Sequence, residues 1–306
     1  MKAPFPWFGG KSRVAHLVWD RFGNVPNYVE PFAGSLAVLL SRPHPPKIET
    51  VNDLDYYLAN FWRAIRFNPA TTAAWADWPV NEADLHARHR WLVNQEEFRE
   101  RMKTDPDYHD CRVAGWWVWG LCQWIGTGWC VQRGDGDQPQ QLPHLGDAGM
   151  GINRKLPHLG DAGRGEQIYA YFSQLHGRLR DVRIACGSWD RVAGESVTIK
   201  HGTTGIFLDP PYGDDEHEVE YAAHSDVARD VREWAIANGD NPALRIALCG
   251  YEGEHAMPDT WEAIAWKARG GYGSQGDGQG RKNASRERIW FSPHCLKPPV
   301  LFGGVE

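Results

Sequence analysis

Gly205-Ile206-Phe207-Leu208-Asp209-Pro210-Pro211-Tyr212 is an apolar run that ends in an acid, two prolines and an aromatic residue. The run reads as a buried strand. Each proline lacks a backbone N–H and cannot continue a sheet ladder. They stiffen the turn, so the Asp209 carboxylate, the carbonyl between the prolines and the Tyr212 ring hold a fixed relation. Such a set can grip a planar amine, with acceptors on its N–H bonds and a ring on its face. The plain alternative is a strand followed by a polyproline turn, because Asp-Pro and Pro-Pro are ordinary turn signals.

On the N-terminal side, Phe5 to Lys11 is a Pro/Gly-punctuated loop, and Ser12 is placed to cap a helix with Val14, Leu17, Val18 and Phe22 on one face. Gly23 and Asn24 stop it. Tyr28-Val29 is a short strand, Glu30 to Ser35 a turn, and Leu36 to Leu40 the opening of a second helix. Ile48 to Val51 is a strand ended by Asn52-Asp53, and Leu58, Phe61, Trp62 and Ile65 mark a third helix. This strand–helix rhythm predicts a parallel sheet.

The rhythm stops near Pro69 and resumes after Gly165. Within the gap, Leu85, Leu92, Phe98 and Met102 suggest one helix, and Ala114 to Leu121 another. Leu142-Pro143-His144-Leu145-Gly146-Asp147-Ala148-Gly149 recurs as residues 156–163, a duplicated turn-rich loop. Beyond the gap, Ile168, Phe172, Leu175 and Leu179 form a helix face, and strands follow at 182–185, 205–208 and 244–249. Between the last two, Ser225 caps a helix bearing Val227, Val231 and Trp234. Glu262 to Trp266 and Glu287 to Phe291 read as a hairpin.

With 306 residues, 42% hydrophobic and 24% charged, the chain is an ordinary globular one. No apolar run approaches the ~20 residues of a membrane helix, and the N-terminus has no apolar signal region. The cytosol is the expected compartment. Six scattered cysteines form no Cys-x-x-Cys. Cys111, Cys122 and Cys130 with His109 or His144 match no standard zinc spacing, so free thiols and no metal are expected. Net charge is −6, yet Lys267, Arg269, Arg281, Lys282, Arg286 and Arg288 concentrate positive charge in one segment. Among sixteen tryptophans, Trp116, Trp117, Trp119, Trp124 and Trp129 read as core more readily than as base-stacking platforms.

Glu30-Pro31-Phe32-Ala33-Gly34 falls at the carboxyl end of the first strand, where open α/β sheets bind ligands. The dinucleotide fingerprint needs further glycines, which disfavours a nicotinamide cofactor. Asp53, at the end of the second strand, suits ribose hydroxyls or a helix cap. Asp190, after the third predicted strand, suits an adenine amine or merely ends that strand.

Taken in order, Phe5-Pro6-Trp7-Phe8-Gly9-Gly10-Lys11, Glu30-Pro31-Phe32-Ala33-Gly34, Asn52-Asp53 and Asp209-Pro210-Pro211-Tyr212 resemble the motifs of S-adenosylmethionine-dependent, amino-directed DNA methyltransferases. Their order resembles the alpha group that includes the Dam-like adenine N6 enzymes. The resemblance covers residues 5–66 and about 182–291. It implies a Rossmann-like methyltransferase sheet, mostly parallel with an antiparallel hairpin at one edge. Residues 1–68 and 166–306 would form the catalytic domain, and 69–165 an inserted Trp/Gly-rich target-recognition region.

By the same resemblance, Trp7, Gly9, Gly10 and Lys11 border the methionine end of S-adenosyl-L-methionine and the target base. Phe32 and Gly34 line the cofactor, Asp53 binds its ribose and Asp190 its adenine. Asp209 and the Pro210 carbonyl accept from the target amine, Pro211 stiffens the turn, and Tyr212 stacks on the flipped base. Arg269, Arg281, Lys282, Arg286 and Arg288 are the candidates for holding double-stranded DNA. The alternatives are a cytosine N4 or RNA amino-methyltransferase, or an inactive nucleic-acid-binding module of the same fold. The chain departs from the family at Leu36, where many members have a second glycine.

Overall fold

The computed structural model describes residues 1–7, 10–105, 107–124, 129–130, 166–211, 222–266 and 286–297. Its strands are β1 (Asn27–Glu30), β2 (Ile48–Asp53), β3 (Arg183–Cys186), β4 (Thr204–Leu208), β5 (Leu244–Tyr251), β6 (Glu262–Ala265) and β7 (Glu287–Phe291). Among the described residues they form one seven-stranded sheet, ordered β3-β2-β1-β4-β5-β7-β6. Strands β1 to β5 pair in parallel. β7 runs antiparallel to both β5 and β6, which is the expected hairpin at one edge.

Successive side chains of a strand point to opposite faces, and the sheet divides its core accordingly. Tyr28, Phe207, Ala247, Cys249, Ile289 and Phe291 pack into one cluster. It also takes residues from helices α1 (Ala15–Phe22), α2 (Ala37–Leu40) and α3 (Tyr56–Phe67). The other face buries Val29, Ile206, Leu208, Ile246 and Leu248 against Val231 and Ala235 of α9 (Ala222–Asn238). Phe22 closes on the strand backbone at Gly205, where a Cβ would lie 2.8 Å from its ring. The apolar run of β4 is therefore covered on both sides, as a parallel strand requires.

Between α3 and β3 lie α4 (Pro69–Ala76), α5 (Glu82–Val93), α6 (Glu96–Thr104), α7 (Cys111–Gln123) and α8 (Glu166–Leu179). α7 packs on α3, α4 and α5, and α8 on α3 and α4. Trp117 and Trp119 are fully buried and Trp129 nearly so, in the same core cluster, with Trp116 and Trp124 half-buried at its margin. Arg88 lies over the rings of Trp78, Trp116 and Trp119, and Arg112 over those of Trp75, Trp91 and Trp116.

Local structure differs from the sequence reading in four places. The single helix expected through Leu85 and Met102 is two, α5 and α6. The Tyr57 hydroxyl donates to the Leu92 carbonyl at 2.7 Å, the group a continuing helix would offer to the N–H four residues on. α4 was not anticipated; its signal is Pro69 at the first turn, where a missing N–H costs nothing. Ser12 does not cap α1, because the Lys11 carbonyl takes the Val14 and Ala15 N–H groups at 3.1 and 3.0 Å. Ser225 lies inside α9, which begins at Ala222. The duplicated segments 142–149 and 156–163 lie outside the described residues.

Candidate active site at the carboxyl edge of the sheet

The chain leaves β1 toward β2 and β3 on one side, and leaves β4 toward β5 on the other. The carboxyl ends of the adjacent strands β1 and β4 therefore border a crevice at the topological switch point of the sheet. Glu30 ends β1 and Pro31 to Gly34 follow it; Leu208 ends β4 and Asp209 to Pro211 follow it. Two segments far apart in sequence are thus brought together by strand pairing alone.

Lys11 joins them from the loop before α1. Its Nζ lies 2.9 Å from Asp209 Oδ1 and 3.8 Å from Glu287 Oε2. Lys11 is 4% exposed, and the Trp266 ring lies 5.7 Å from its ammonium. Burial works to discharge this lysine, but the charge of Asp209, with further help from Glu287, overcomes it and holds the pKa above the ordinary lysine value. The Glu287 carboxyl is pushed up to about 7 by burial, which the Lys11 charge opposes. Because β7 is antiparallel, its first residue sits opposite Tyr251 and brings this acid to the same edge.

Beneath the crevice, Glu30 is only 2% exposed and accepts the Tyr28 hydroxyl at 3.0 Å. Burial pushes its carboxyl up to about 8 against that hydrogen bond, with nearby Asp209 adding to the rise. Asp209 thus acts on Glu30 below and, together with Glu287, on the one Lys11 ammonium.

On the other side of β1, Gly34 takes φ +46°, and a Cβ there would sit 2.5 Å from Trp7 Nε1. The indole lies on the glycine backbone, and it also meets the rings of Phe5 and Trp117. The Gly34 N–H donates to Asp53 Oδ2 at 2.9 Å, and the Asp55 N–H to Oδ1 at 3.0 Å. Burial raises the Asp53 pKa against these N–H donors. The helix-cap alternative for Asp53 is corrected, because Asp55 caps α3 by accepting from the Tyr57 and Leu58 N–H groups. The Asn52 side chain donates to the carbonyls of Pro31 and Gly187, tying together the segments after β1 and β3.

Leu36, where the resemblance breaks, has φ 58° and ψ 28° and is fully buried. A left-handed backbone costs a leucine about 1–2 kcal/mol, whereas burying its side chain gains about 1.5–3 kcal/mol. The leucine therefore occupies a glycine conformation without net penalty.

Asp190 is exposed on a short 3-10 turn, Trp189–Val192, after β3, and Phe32 stacks on Trp189 at 6.3 Å between centroids. Arg286 is exposed over the Tyr251 ring, while Arg288 pairs with Glu252 at 2.8 Å. Gly9, Tyr212, Arg269, Arg281 and Lys282 lie outside the described residues. His109 stacks on Phe67 and meets the Asn68 side chain at 2.6 Å, apart from any three-residue metal-binding group among the described residues. No helix among them is long and apolar enough to cross a membrane. Sequence reasoning missed Glu287, Tyr28 and the bracing role of Asn52. Only Asn52 carried a signal, as the neighbour of Asp53.

The parallel strands, the switch-point crevice and the antiparallel β7 between β5 and β6 define a Rossmann-like methyltransferase fold. Residues 7–107 match the model of the D12 class N6 adenine-specific DNA methyltransferase family. The match covers about a third of the chain and indicates an adenine-specific DNA methyltransferase activity. The matched stretch contains Trp7, Lys11, Glu30 to Gly34 and Asp53, and ends before Asp209. Among curated proteins, none matches the chain.

Proposed function

We propose that the chain uses S-adenosylmethionine to methylate the N6 amine of an adenine turned out of double-stranded DNA into the crevice between β1 and β4. The observation that carries this reading is the placement of Asp209-Pro210-Pro211 at the end of β4, beside the Glu30–Gly34 segment, with Asp209 anchored by Lys11 at 2.9 Å.

The residues around Gly34 fit that cofactor. Asp53 offers a carboxylate already oriented by the Gly34 and Asp55 N–H groups, and a carboxylate has further lone pairs for ribose hydroxyls. Phe32 on Trp189 offers a flat apolar surface for a purine, with Asp190 on the same turn as acceptor for its amine. Trp7, Gly9, Gly10 and Lys11 would border the methionine end. When bound, the cofactor supplies a methyl group already activated on a sulfonium.

The protein's task is then to make a weak nucleophile competent. The lone pair of an exocyclic adenine nitrogen is delocalised into the ring. Asp209 and the Pro210 carbonyl accept its two N–H bonds, favour tetrahedral nitrogen and stabilise the positive charge that develops. Tyr212 stacks on the base face. Pro211 keeps these groups at a fixed spacing, so that alignment supplies much of the remaining acceleration. A base inside a duplex cannot reach the crevice, and turning it out costs a few kcal/mol. Arg269, Arg281, Lys282, Arg286 and the region 69–165 are the proposed means of holding the duplex. Arg288, committed to Glu252, would first have to leave that partner.

Nucleoside mass spectrometry of unmethylated DNA incubated with protein and S-adenosylmethionine tests the reading, with Asp209→Ala in parallel. N6-methyladenine is expected from the wild type, with a loss of about 10²–10³-fold in the variant. N4-methylcytosine would keep the mechanism and change the base. Absence of both S-adenosylmethionine binding and any methylated nucleoside would overturn the proposal.

A further inference from the structure

Glu287 is an acid of the buried charge cluster that lies in none of the motifs at the strand ends. It opens β7, opposite Tyr251 of β5, at the edge where Asp209 leaves β4. Its side chain is 7% exposed, and its Oε2 is buried with no hydrogen-bond partner among the described residues. Among the described residues, the Lys11 ammonium, 3.8 Å away, compensates its charge. The same ammonium touches Asp209 at 2.9 Å.

With Asp209 alone beside it, a buried ammonium would settle on that carboxylate and neutralise much of its field. A second carboxylate on β7 divides the pull. Lys11 then fixes the orientation of Asp209 while Asp209 keeps negative potential toward an incoming amine. We propose that Glu287 is a positioning residue for methyl transfer, acting through Lys11 to set the orientation of Asp209 and the field it presents to the amine. This inference rests on the role proposed above for Asp209.

Among the described residues, groups from several elements surround Glu287. Lys11 comes from the loop before α1 and Asp209 from the end of β4. Cys249 on β5 acts on Lys11, Tyr251 is the register partner of Glu287, and Glu30 on β1 acts on Asp209. The adjacent Arg288 turns its guanidinium to Glu252. Ionisation of Glu287, pushed up to about 7, thus acts on the Lys11–Asp209 pair. The form that restrains Lys11 is the ionised one, so the rate should rise through neutrality as Glu287 loses its proton.

The test compares wild type, E287Q, E287D, K11Q and K11Q/E287Q by N6-methyladenine formation across pH, with calorimetric titration of S-adenosylmethionine. E287Q is expected to lower kcat roughly tenfold above neutral pH, while KM for DNA and cofactor affinity stay within about twofold. The limb near neutrality should vanish in E287Q and persist in E287D. The double variant should be no slower than K11Q, because Glu287 acts through Lys11.

Wild-type kcat in E287Q across the pH range, or effects of K11Q and E287Q that multiply, would overturn the inference alone. Should E287Q fail to fold, E287D decides: full kcat without the neutral limb overturns the inference, and reduced kcat with the limb supports it. A wild-type protein that binds neither cofactor nor methylates DNA would overturn the functional reading itself, and this inference with it.

Discussion

The carboxyl edge of the sheet and the helical layer from α4 to α7 both bury charge, and they do so in opposite ways. At the edge, the Lys11 ammonium is matched by Asp209 and Glu287, with Glu30 nearby. In the layer, the Arg88 guanidinium lies 4.2 Å from the Trp119 ring and about as close to two other tryptophans. Paired ions in a low-dielectric setting respond strongly to a single proton. A guanidinium against π faces does not, because burial lowers the Arg88 pKa only to about 10. The edge is built to change charge state near neutral pH, and the layer to hold its shape.

The largest expected structural effect falls in the layer. Trp119 is fully buried and its indole N–H donates to the Trp78 carbonyl at 2.9 Å. Trp119→Ala should cost about 3–5 kcal/mol through lost burial and a residual cavity. Denaturant unfolding followed by tryptophan fluorescence measures it. A loss near zero would mean that the layer contributes little to the fold, and the contrast with the edge would collapse.

The edge should instead show its character in pH dependence. Glu30 holds its proton up to about pH 8, well above the ordinary glutamate value of 4.5. The folded state thus binds that proton more tightly than the unfolded chain. The stabilisation is fully present below pH ~4.5 and is lost as pH rises through about 8, a change of a few kcal/mol. Glu287, pushed up to about 7, acts in the same direction. Glu30→Gln keeps an acceptor for the Tyr28 hydroxyl and removes the ionisation. Its stability should fall less between pH 5 and 9 than that of the wild type. Parallel curves for the two proteins would show that Glu30 does not titrate in that range.

Which parts of this were legible in the sequence follows from how local each cause is. β4 and β5 announce themselves as apolar runs, and β1 and β2 as short mixed strands, each with turn residues at its end. Asp209, Gly34 and Asp53 lie at those ends, so fold and crevice could be read together. The break between α5 and α6 was not legible, because it is made by the Tyr57 hydroxyl arriving from α3. The choice of Asp55 over Asp53 as cap was hidden too. Both stand before an apolar helix, and the Gly34 N–H, delivered by the turn after β1, together with the Asp55 N–H, commits Asp53 elsewhere. The Lys11–Glu287 contact depends on β7 running antiparallel beside β5. No spacing in the chain encodes that.

A middle-sized effect sharpens the proposed cofactor side of the edge. At Gly34 the backbone is left-handed and a Cβ would enter the Trp7 ring at 2.5 Å. Gly34→Ala should destabilise the protein by about 1–3 kcal/mol. It should weaken S-adenosylmethionine binding by more than it lowers stability predicts, because the same N–H orients Asp53. Calorimetric titration beside a melting curve separates the two. Unchanged affinity in a destabilised protein would confine Gly34 to packing.

The smallest expected effect is the most discriminating for the layer. Arg88 is 7% exposed, and its Nη1 is buried without a hydrogen-bond partner among the described residues. Arg88→Met keeps most of the side-chain volume while removing the charge. It gives up cation–π attraction worth about 0.5–2 kcal/mol at the best-placed ring, that of Trp119. It also removes an unsatisfied buried donor that costs about 1–3 kcal/mol. The two nearly cancel, so the net change should stay within about 1 kcal/mol. Thermal unfolding should then shift by only a few degrees. A loss of 3 kcal/mol or more, on the order expected for breaking a buried ion pair, would instead mean that the attraction of Asp84, which opposes the burial of Arg88, dominates, and the layer would share the electrostatic logic of the edge.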